Sequence, residues 1–315
     1  MKIIRALLLV AALPAAAQDY PARPIRIIVG YAAGGGNDLI VRVMAPRMSE
    51  ALGQPVIVEN KPGAQAIIAT EYVAKAPPDG YTILMGPTGP MAMNPATYAK
   101  LPYSSTRDFA PISTIGHFPL IVTVGASLPV HSVKELIDYA KKNPGKANYG
   151  SSAAAFQIAT ELFKQKTGTE FVHIPYKSSG ESVQATVAGQ VTMTICDPPP
   201  ASGPLRAGTV RALAITSSER HPSWPDVPTL AEAGVPDVEV WLWTGFFAPV
   251  RTPSAIVERL QKETARVVRL PEVRDSLAKL GVDPVGGSSE ELRTRLARDI
   301  EKWTAVAKAA NIRND

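Results

Sequence analysis

Residues 25–38 read Ile-Arg-Ile-Ile-Val-Gly-Tyr-Ala-Ala-Gly-Gly-Gly-Asn-Asp, and this stretch sets the fold class. Its first five residues, Ile25–Val29, form a nearly continuous apolar run, which predicts a strand buried on both faces. The glycine-rich residues 30–36 predict a loop. Apolar positions then recur at helical spacing and predict a helix over residues 38–52, with a kink or local break at Pro46. A strand, a loop and a helix in this order begin an α/β unit.

The rest of the chain repeats this alternation in two series. Residues 56–85 predict two more strands around a helix, and this order implies a parallel sheet with right-handed crossovers. A second series occupies residues 132–216, and extended segments at 112–124 and 238–247 predict two crossings between the series. We therefore expect an α/β protein of two domains, each a mostly parallel sheet flanked by helices. The predicted domains are residues 18–119 plus 245–315 for domain 1 and residues 120–244 for domain 2.

Residues 1–17 have the pattern of a secretory signal peptide. Lys2 and Arg5 precede an apolar run that ends in small residues, with a cleavage site near Ala17. A buried N-terminal strand or helix is the alternative. Cleavage would place the mature chain in the periplasm. The chain has one cysteine, Cys196, so an intramolecular disulfide is impossible.

Composition and spacing argue against several classes of function. The net charge is +5 and no long basic run occurs, so we expect no nucleic-acid partner. The four histidines show no metal-ligand spacing, and the Gly-x-Ser-x-Gly nucleophile elbow is absent from the sequence. We therefore expect no catalytic residue, no metal and no cofactor.

The glycine loop is the first candidate site. Gly34, Gly35 and Gly36 leave backbone N–H groups accessible, because no Cβ stands in the way. The helix N-terminus at Asn37 and Asp38 adds unpaired donors and a positive dipole end, so the loop can cradle an anion. It lacks the third glycine of the dinucleotide fingerprint and the Lys-Ser/Thr of the P-loop. The alternative is a glycine-rich turn in which Asn37 or Asp38 simply caps the helix.

Further candidates follow other predicted strands. Ser151 and Ser152 join a strand to a helix, and Thr88 lies in a short polar loop. Asp197 ends another strand, where its carboxylate can accept from a ligand amine or hydroxyl, or bind water. Ligands of open α/β sheets bind outside the carboxyl ends of the strands, where these side chains meet the glycine loop. Plain helix capping is the alternative for both serines and for Asp197.

Ordered motifs along nearly the whole chain resemble one family. They include residues 34–38 (Gly-Gly-Gly-Asn-Asp), 58–64 (Val-Glu-Asn-Lys-Pro-Gly-Ala), 73–82 (Val-Ala-Lys-Ala-Pro-Pro-Asp-Gly-Tyr-Thr), 174–177 (Ile-Pro-Tyr-Lys) and 225–234 (Pro-Asp-Val-Pro-Thr-Leu-Ala-Glu-Ala-Gly). Together these motifs resemble the substrate-binding receptors of tripartite tricarboxylate transporters, the TctC/Bug family.

The resemblance implies a type II periplasmic-binding-protein fold, whose two domains close like a flytrap on a small carboxylate-bearing solute. It also implies delivery of that solute to the membrane permease subunits of the transporter, and we expect the receptor to be a monomer. The family's ligand contacts carry over to the residues selected above: Gly34, Gly35, Gly36, Asn37, Asp38 and Thr88 in domain 1, and Ser151, Ser152 and Asp197 in domain 2.

The chain departs from the family pattern at three places. Asn37 replaces the usual threonine, Gln65 and Ala66 replace two glycines, and Phe156 lies where the family has a polar loop. These changes favour a more apolar or aromatic carboxylate than a small dicarboxylate. A ligand-sensing receptor for a signalling partner is the alternative function, and a periplasmic enzyme that acts on a carboxylic acid is a further one.

We expect native protein isolated from the periplasm to begin at or near Gln18, because the small residues before it form the cleavage site of a signal peptide. Intact-mass measurement or N-terminal sequencing of the isolated protein checks this prediction. Detection of an intact Met1 on correctly exported protein would contradict it.

Overall fold

The computed structural model describes residues 20–309 and residue 313, so the predicted signal peptide lies outside the described residues. The described chain contains eleven strands: β1 (Ile25–Val29), β2 (Val56–Asn60), β3 (Thr82–Pro87), β4 (Phe109–Pro119), β5 (Ile121–Gly125), β6 (Asn148–Ser151), β7 (Val172–Pro175), β8 (Met193–Cys196), β9 (Val210–Ile215), β10 (Trp241–Pro249) and β11 (Asp283–Pro284).

Ten α-helices connect or follow these strands in the described chain: α1 (Gly36–Leu52), α2 (Ile67–Ala74), α3 (Asn94–Thr97), α4 (Val133–Lys142), α5 (Ala154–Thr167), α6 (Ser179–Val187), α7 (Pro198–Arg206), α8 (Ser254–Val268), α9 (Pro271–Lys279) and α10 (Ser289–Ala309). A short 3₁₀ turn (Ala64–Ala66) precedes α2, and a π-helical turn (Gly89–Met93) precedes α3. No helix within residues 20–309 is long and apolar enough to cross a membrane.

The strands form two mixed sheets. Sheet 1 has the order β11-β4-β10-β3-β1-β2, and sheet 2 has the order β7-β6-β8-β5-β9. β1 pairs in parallel with β2 and β3, and β6 pairs in parallel with β7 and β8, as the alternation predicted. β10 runs antiparallel to β3 and β4, and β5 runs antiparallel to β8 and β9. The two-domain α/β fold is confirmed, but the sheets are mixed rather than mostly parallel, because the crossing strands enter each sheet in the opposite direction.

The helix α1 differs from the sequence prediction at its start and in its middle. It begins at Gly36 rather than at residue 38. Its N-cap is Gly35, which has no side chain to accept a capping hydrogen bond. Neither Asn37 nor Asp38 therefore caps it. The helix also continues through Pro46, so a local break there is wrong, and the alternative of a kink stays a prediction. Pro46 is exposed, and the carbonyl that loses its partner there can bond to water instead.

Two neighbouring segments connect the sheets, as predicted. β4 ends at Pro119, opposite the first residue of β10, Trp241, and Leu120 leads directly into β5. The predicted domain boundary at residue 245 falls inside β10, and the boundaries stay a prediction. The C-terminal helices pack on sheet 1: α8 and α10 contact β4, and α9 contacts α1.

Thr216 joins both connecting segments on the side of sheet 2. Its side-chain oxygen Oγ1 accepts from the Leu120 N–H (2.8 Å) and donates to the Val240 carbonyl (2.7 Å). Its main-chain N–H donates to the Leu120 carbonyl (3.0 Å), and its carbonyl accepts from the Val240 N–H (3.0 Å). Thr216 is 1% exposed, so these polar groups have no water to replace the lost partners. One residue thus holds the two crossing strands side by side.

We expect Thr216→Val to lower the free energy of unfolding by about 2–4 kcal/mol, because it leaves the buried Leu120 N–H and Val240 carbonyl without partners. Chemical denaturation followed by circular dichroism measures this. Thr304→Val is the control, since Thr304 is exposed on α10 and should change stability by less than about 0.5 kcal/mol. Equal stability of the two variants would show that Thr216 does not hold the crossing.

Candidate functional site

Two adjacent cavities lie between the sheets. Cavity A has a water-accessible volume of about 20 Å³ and is lined by residues that follow β1, β3, β6, β7 and β8, together with Phe118 and Leu242. Cavity B has a volume of about 230 Å³ and is lined by residues of the 3₁₀ turn and of the loops after β6 and β7. Tyr31, Ser152 and Ala153 line both cavities. The cavities lie at the carboxyl ends of strands, where ligands of α/β sheets bind.

The walls of this cleft are in contact. The Ala32 N–H donates to the Lys177 carbonyl (3.4 Å), and the Gly36 N–H approaches Ser179 Oγ (3.4 Å). A Cβ on Gly36 would overlap the carboxylate of Asp197. Cavity A holds about one water-sized group. A larger solute therefore needs the two domains to separate before it can enter.

The glycine loop does not present the free N–H groups that its sequence predicted. The Gly34 N–H donates to Asp38 Oδ2 (2.9 Å), and the Gly35 N–H donates to the Ala32 carbonyl (3.2 Å). The Gly36 N–H points to Ser179 Oγ. All three donors are thus used within the protein. The glycines instead allow the close approach of the two domains, because a side chain at Gly36 would occupy the space of Asp197.

Asp38 has a structural role that its sequence position did not reveal. Its carboxylate accepts from Arg42 Nε (2.9 Å) and Asn60 Nδ2 (2.9 Å) as well as from the Gly34 N–H. Burial by itself would raise the pKa of Asp38, but these hydrogen bonds and the charge of Arg42 hold the pKa below its ordinary value. Its side chain is 2% exposed and lines neither cavity, so it anchors the loop.

Asn37 and Thr88 line cavity A, but both are held by the main body of domain 1. Asn37 Oδ1 accepts from Thr244 Oγ1 (2.9 Å), which leaves its amide nitrogen for the cavity. Thr88 Oγ1 accepts from the Trp243 N–H (2.8 Å) and donates to the Trp243 carbonyl (3.0 Å). The predicted polar loop around Thr88 is in fact a buried turn, so the Thr88 proton is not available to a ligand.

The two serines of domain 2 have different surroundings. Ser151 belongs to β6, lines cavity B, and lies with its Oγ 2.8 Å from His173 Nε2. Burial lowers the pKa of His173, which favours its neutral form. Ser152 lines both cavities, and its buried Oγ has no hydrogen-bond partner within the described chain. Neither serine caps α5, whose N-cap is Ala153.

The N-terminus of α5 supplies the donors that the glycine loop lacks. Ala153 and Ala155 line cavity A. The Phe156 N–H is bonded to the Ala153 carbonyl, but the N–H groups of Ala154 and Ala155 bond to nothing within residues 20–309. Unpaired N–H groups and the positive end of a helix dipole favour an anion. A helix was correctly predicted here from the sequence, but the predicted ligand contacts were the two serines and not the alanines that follow.

Asp197 is the charged residue of cavity A. It stands at the N-cap of α7 but caps nothing, because Pro198, Pro199 and Pro200 have no N–H to donate. Asp197 is 1% exposed, and its Oδ1 has no hydrogen-bond partner among the described residues. Burial raises its pKa to about 6, while a hydrogen bond with Ser179 acts in the opposite direction. The capping alternative for Asp197 is therefore wrong.

The cavities also contain residues that sequence reasoning missed. Ser179 opens α6 and contacts both Gly36 and Asp197. Tyr31 lies between the two cavities, and burial raises its pKa, so it stays a neutral phenol. The capping box after β7, with Ser178 accepting from the Glu181 N–H, was the signal that could have located Ser179. Phe156, which the sequence comparison marked as unusual, lines cavity A.

The arrangement is suited to binding. The described residues contain no group of three or more His, Cys, Asp or Glu that could hold a metal ion. Cys196 is fully buried beside Asp197, and burial raises the pKa of its thiol, which keeps it unreactive. What the cleft offers is a set of oriented donors, one buried carboxylate and apolar walls.

Comparison with known proteins shows which family the chain resembles. The model of the tripartite tricarboxylate transporter family receptor, TctC, matches residues 40–312. BugT of Bordetella pertussis is 35% identical over 300 residues, which cover 94% of this chain and 92% of BugT. The structure of R. palustris Rpa4515 with adipate has 37% identity and a TM-score of 0.90, covering 94% of this chain and 99% of that one.

The structure of the periplasmic binding protein BugD is similar over the same extent. It has 30% identity and a TM-score of 0.91, and the match covers 94% of this chain and 100% of BugD. The resemblance predicted from the sequence motifs is confirmed, as is the periplasmic-binding-protein fold. The chain belongs to the tripartite tricarboxylate transporter receptor family, TctC, whose members are periplasmic solute-binding receptors.

Proposed function

We propose that this chain captures a small carboxylate-bearing solute between its two domains and delivers it to the permease subunits of a tripartite tricarboxylate transporter. One observation carries the proposal: at the start of α5, where Ala155 lines cavity A, the N–H groups of Ala154 and Ala155 have no partner among the described residues. An anionic group suits this position. The similar protein Rpa4515 was described with adipate, a carboxylate.

The proposed ligand contacts differ in part from those of the sequence prediction. We propose direct contacts from Asn37, Ser152 and Asp197, with Ser179 and the start of α5 added to them. Gly34, Gly35 and Asp38 shape the loop, Gly36 permits closure, and Ser151 and Thr88 support the walls. We assign no catalytic role. Ser151 and His173 are spaced as a hydroxyl and a base, but within the described residues no carboxylate is hydrogen-bonded to His173 to orient it. The proposed setting is a monomer in the periplasm.

Closure of the cleft over the solute gives a direct test. We expect Gly36→Ala to weaken solute binding tenfold or more, because the new methyl group would overlap the Asp197 carboxylate in the closed form. Folding should be retained, since alanine is favoured in a helix. Mass spectrometry of the acid released from freshly purified, denatured protein measures occupancy, and small-angle scattering measures the decrease in radius of gyration when the acid is added back.

Gly203→Ala is the matched control, because a Cβ at this helical glycine meets nothing within 4 Å. It should keep wild-type occupancy and closure. If no carboxylic acid is released from the wild type, or if Gly36→Ala binds and closes as the control does, the proposed function in this cleft is wrong.

Asp197 should reduce stability at neutral pH, which is expected of a group retained for binding. Its pKa in the folded protein, about 6, lies above the ordinary 3.8, so ionisation is less favourable in the folded state. The contribution of Asp197 to stability is therefore fully present below pH 4 and is lost as the pH rises through 6. Asp197→Asn should remove this loss and raise the free energy of unfolding at pH 7 by roughly 3 kcal/mol.

Asp38→Asn is the contrasting variant. The folded-state pKa of Asp38 is lowered, so its ionised form adds stability that is present at neutral pH and lost in acid. Asp38→Asn should therefore lower stability at pH 7. Urea denaturation of both variants between pH 3.5 and 8 measures the effects, and a decrease for Asp197→Asn at pH 7 would contradict the assignment.

A further inference from the structure

The two cavities of the cleft have opposite electrical character. Among the described residues that line cavity A, Asp197 is the ionisable one apart from the phenol of Tyr31, and none is a lysine, arginine or histidine. The lining of cavity B contains no carboxylate and includes Lys177 and His173. A solute that extends from one cavity to the other therefore meets a carboxylate in cavity A and no carboxylate in the described lining of cavity B.

Asp197 leaves one carboxylate oxygen free to accept a hydrogen bond from a molecule in the cleft. Its Oδ1 is buried and has no partner in the described chain, and the three prolines that follow remove the donors a helix N-terminus normally offers. The hydrogen bond with Ser179 offsets only part of the desolvation cost, so the buried carboxylate stays poorly solvated. A second carboxylate placed against Asp197 would add repulsion between like charges.

Another part of the site can accept an anion. Ser152, whose Oγ is also buried and unpartnered within the described residues, lies where the two cavities meet. The N–H groups at the start of α5 follow it directly, and Lys177 lies further along cavity B. Ser152 Oγ and the helix N-terminus can together donate several hydrogen bonds to one carboxylate.

Apolar side chains form another part of the wall of cavity A. Phe118, Phe156 and Leu242 line cavity A, and each is nearly fully buried. They can contact the carbon body of a solute, but they offer it no hydrogen bond.

We propose that the receptor selects an amphoteric carboxylate: a solute whose carboxylate binds at Ser152 and the start of α5, and whose distal hydroxyl or ammonium group donates a hydrogen bond to Asp197. This inference rests on the proposed function and narrows its solute class. Amino acids and hydroxy acids with an apolar body fit the site, and plain dicarboxylates do not.

A panel of matched acids tests the distal group. Each set keeps one carbon body and changes only the far end. The six-carbon set is adipate, ω-aminohexanoate, ω-hydroxyhexanoate and hexanoate. Equivalent sets are built on a four-carbon body and on a para-substituted benzoate. In the set whose carbon body fits the cleft, calorimetry should show that the acid with the ammonium or hydroxyl group binds at least tenfold more tightly than the dicarboxylate. It should also bind at least tenfold more tightly than the acid with no polar group at the far end.

Asp197→Asn tests the residue itself. An amide at this position can donate to an anion as well as accept. The ratio of affinities between the hydroxyl- or ammonium-ended acid and the dicarboxylate should therefore fall by roughly tenfold to a hundredfold. Asp138→Asn is the control, because Asp138 is an exposed carboxylate on α4. It should keep the wild-type order of affinities. A melting temperature for each variant shows that it is folded.

The outcomes separate this inference from the function it rests on. If the dicarboxylates bind most tightly, or if Asp197→Asn leaves the order unchanged, the amphoteric class is wrong while the carboxylate receptor stands. If no acid of any body binds to the wild type, the proposed function is overturned together with the inference.

Discussion

The close approach of Gly36 to the Asp197 carboxylate is the constraint on which the cleft depends. Gly36 begins α1 on sheet 1, and Asp197 follows β8 on sheet 2, so their contact sets how far the two domains can close. Any side chain at position 36 would hold the domains apart. The same contact explains the role of the glycine loop. Its glycines permit the approach of the second domain, and its N–H groups form hydrogen bonds within the protein.

Two aspartates near this contact show how one residue type takes opposite roles. Asp38 is surrounded by donors, so its charge is stabilised and it fixes the loop. Asp197 is equally buried but is followed by three prolines, so its charge is poorly compensated. The first arrangement contributes stability, and the second reduces it. A protein retains a destabilising buried charge where function requires it, which is why we place Asp197 in the proposed binding site.

Closure also requires a connection that bends without separating the strands. The two crossing segments lie side by side, and Thr216 bonds to both of them at the edge of sheet 2. On the side of sheet 1, the two segments are joined by the antiparallel pairing of β4 with β10 along the whole length of β10. The hinge is therefore short and well bonded, which favours rigid movement of one domain against the other over local unfolding.

Sequence patterns were enough to predict the main strands and helices, the two crossings, the family and the end of the sheets at which the cleft lies. These follow from local patterns: apolar runs, helical spacing and ordered motifs over most of the chain. The sequence also indicated Asn37, Ser152 and Asp197, because each stands at the end of a strand or the start of a helix.

The tertiary structure alone decided which of these groups are free. Whether the Gly34 N–H is available depends on the rotamer of Asp38, and whether Thr88 can donate depends on Trp243, which lies more than a hundred residues away in the chain. The antiparallel entry of β5 and β10, and the meeting of Ser179 with Gly36, likewise arise from long-range packing. Sequence patterns report the local preferences of the backbone, whereas hydrogen-bond partners across two domains exist only after the chain has folded.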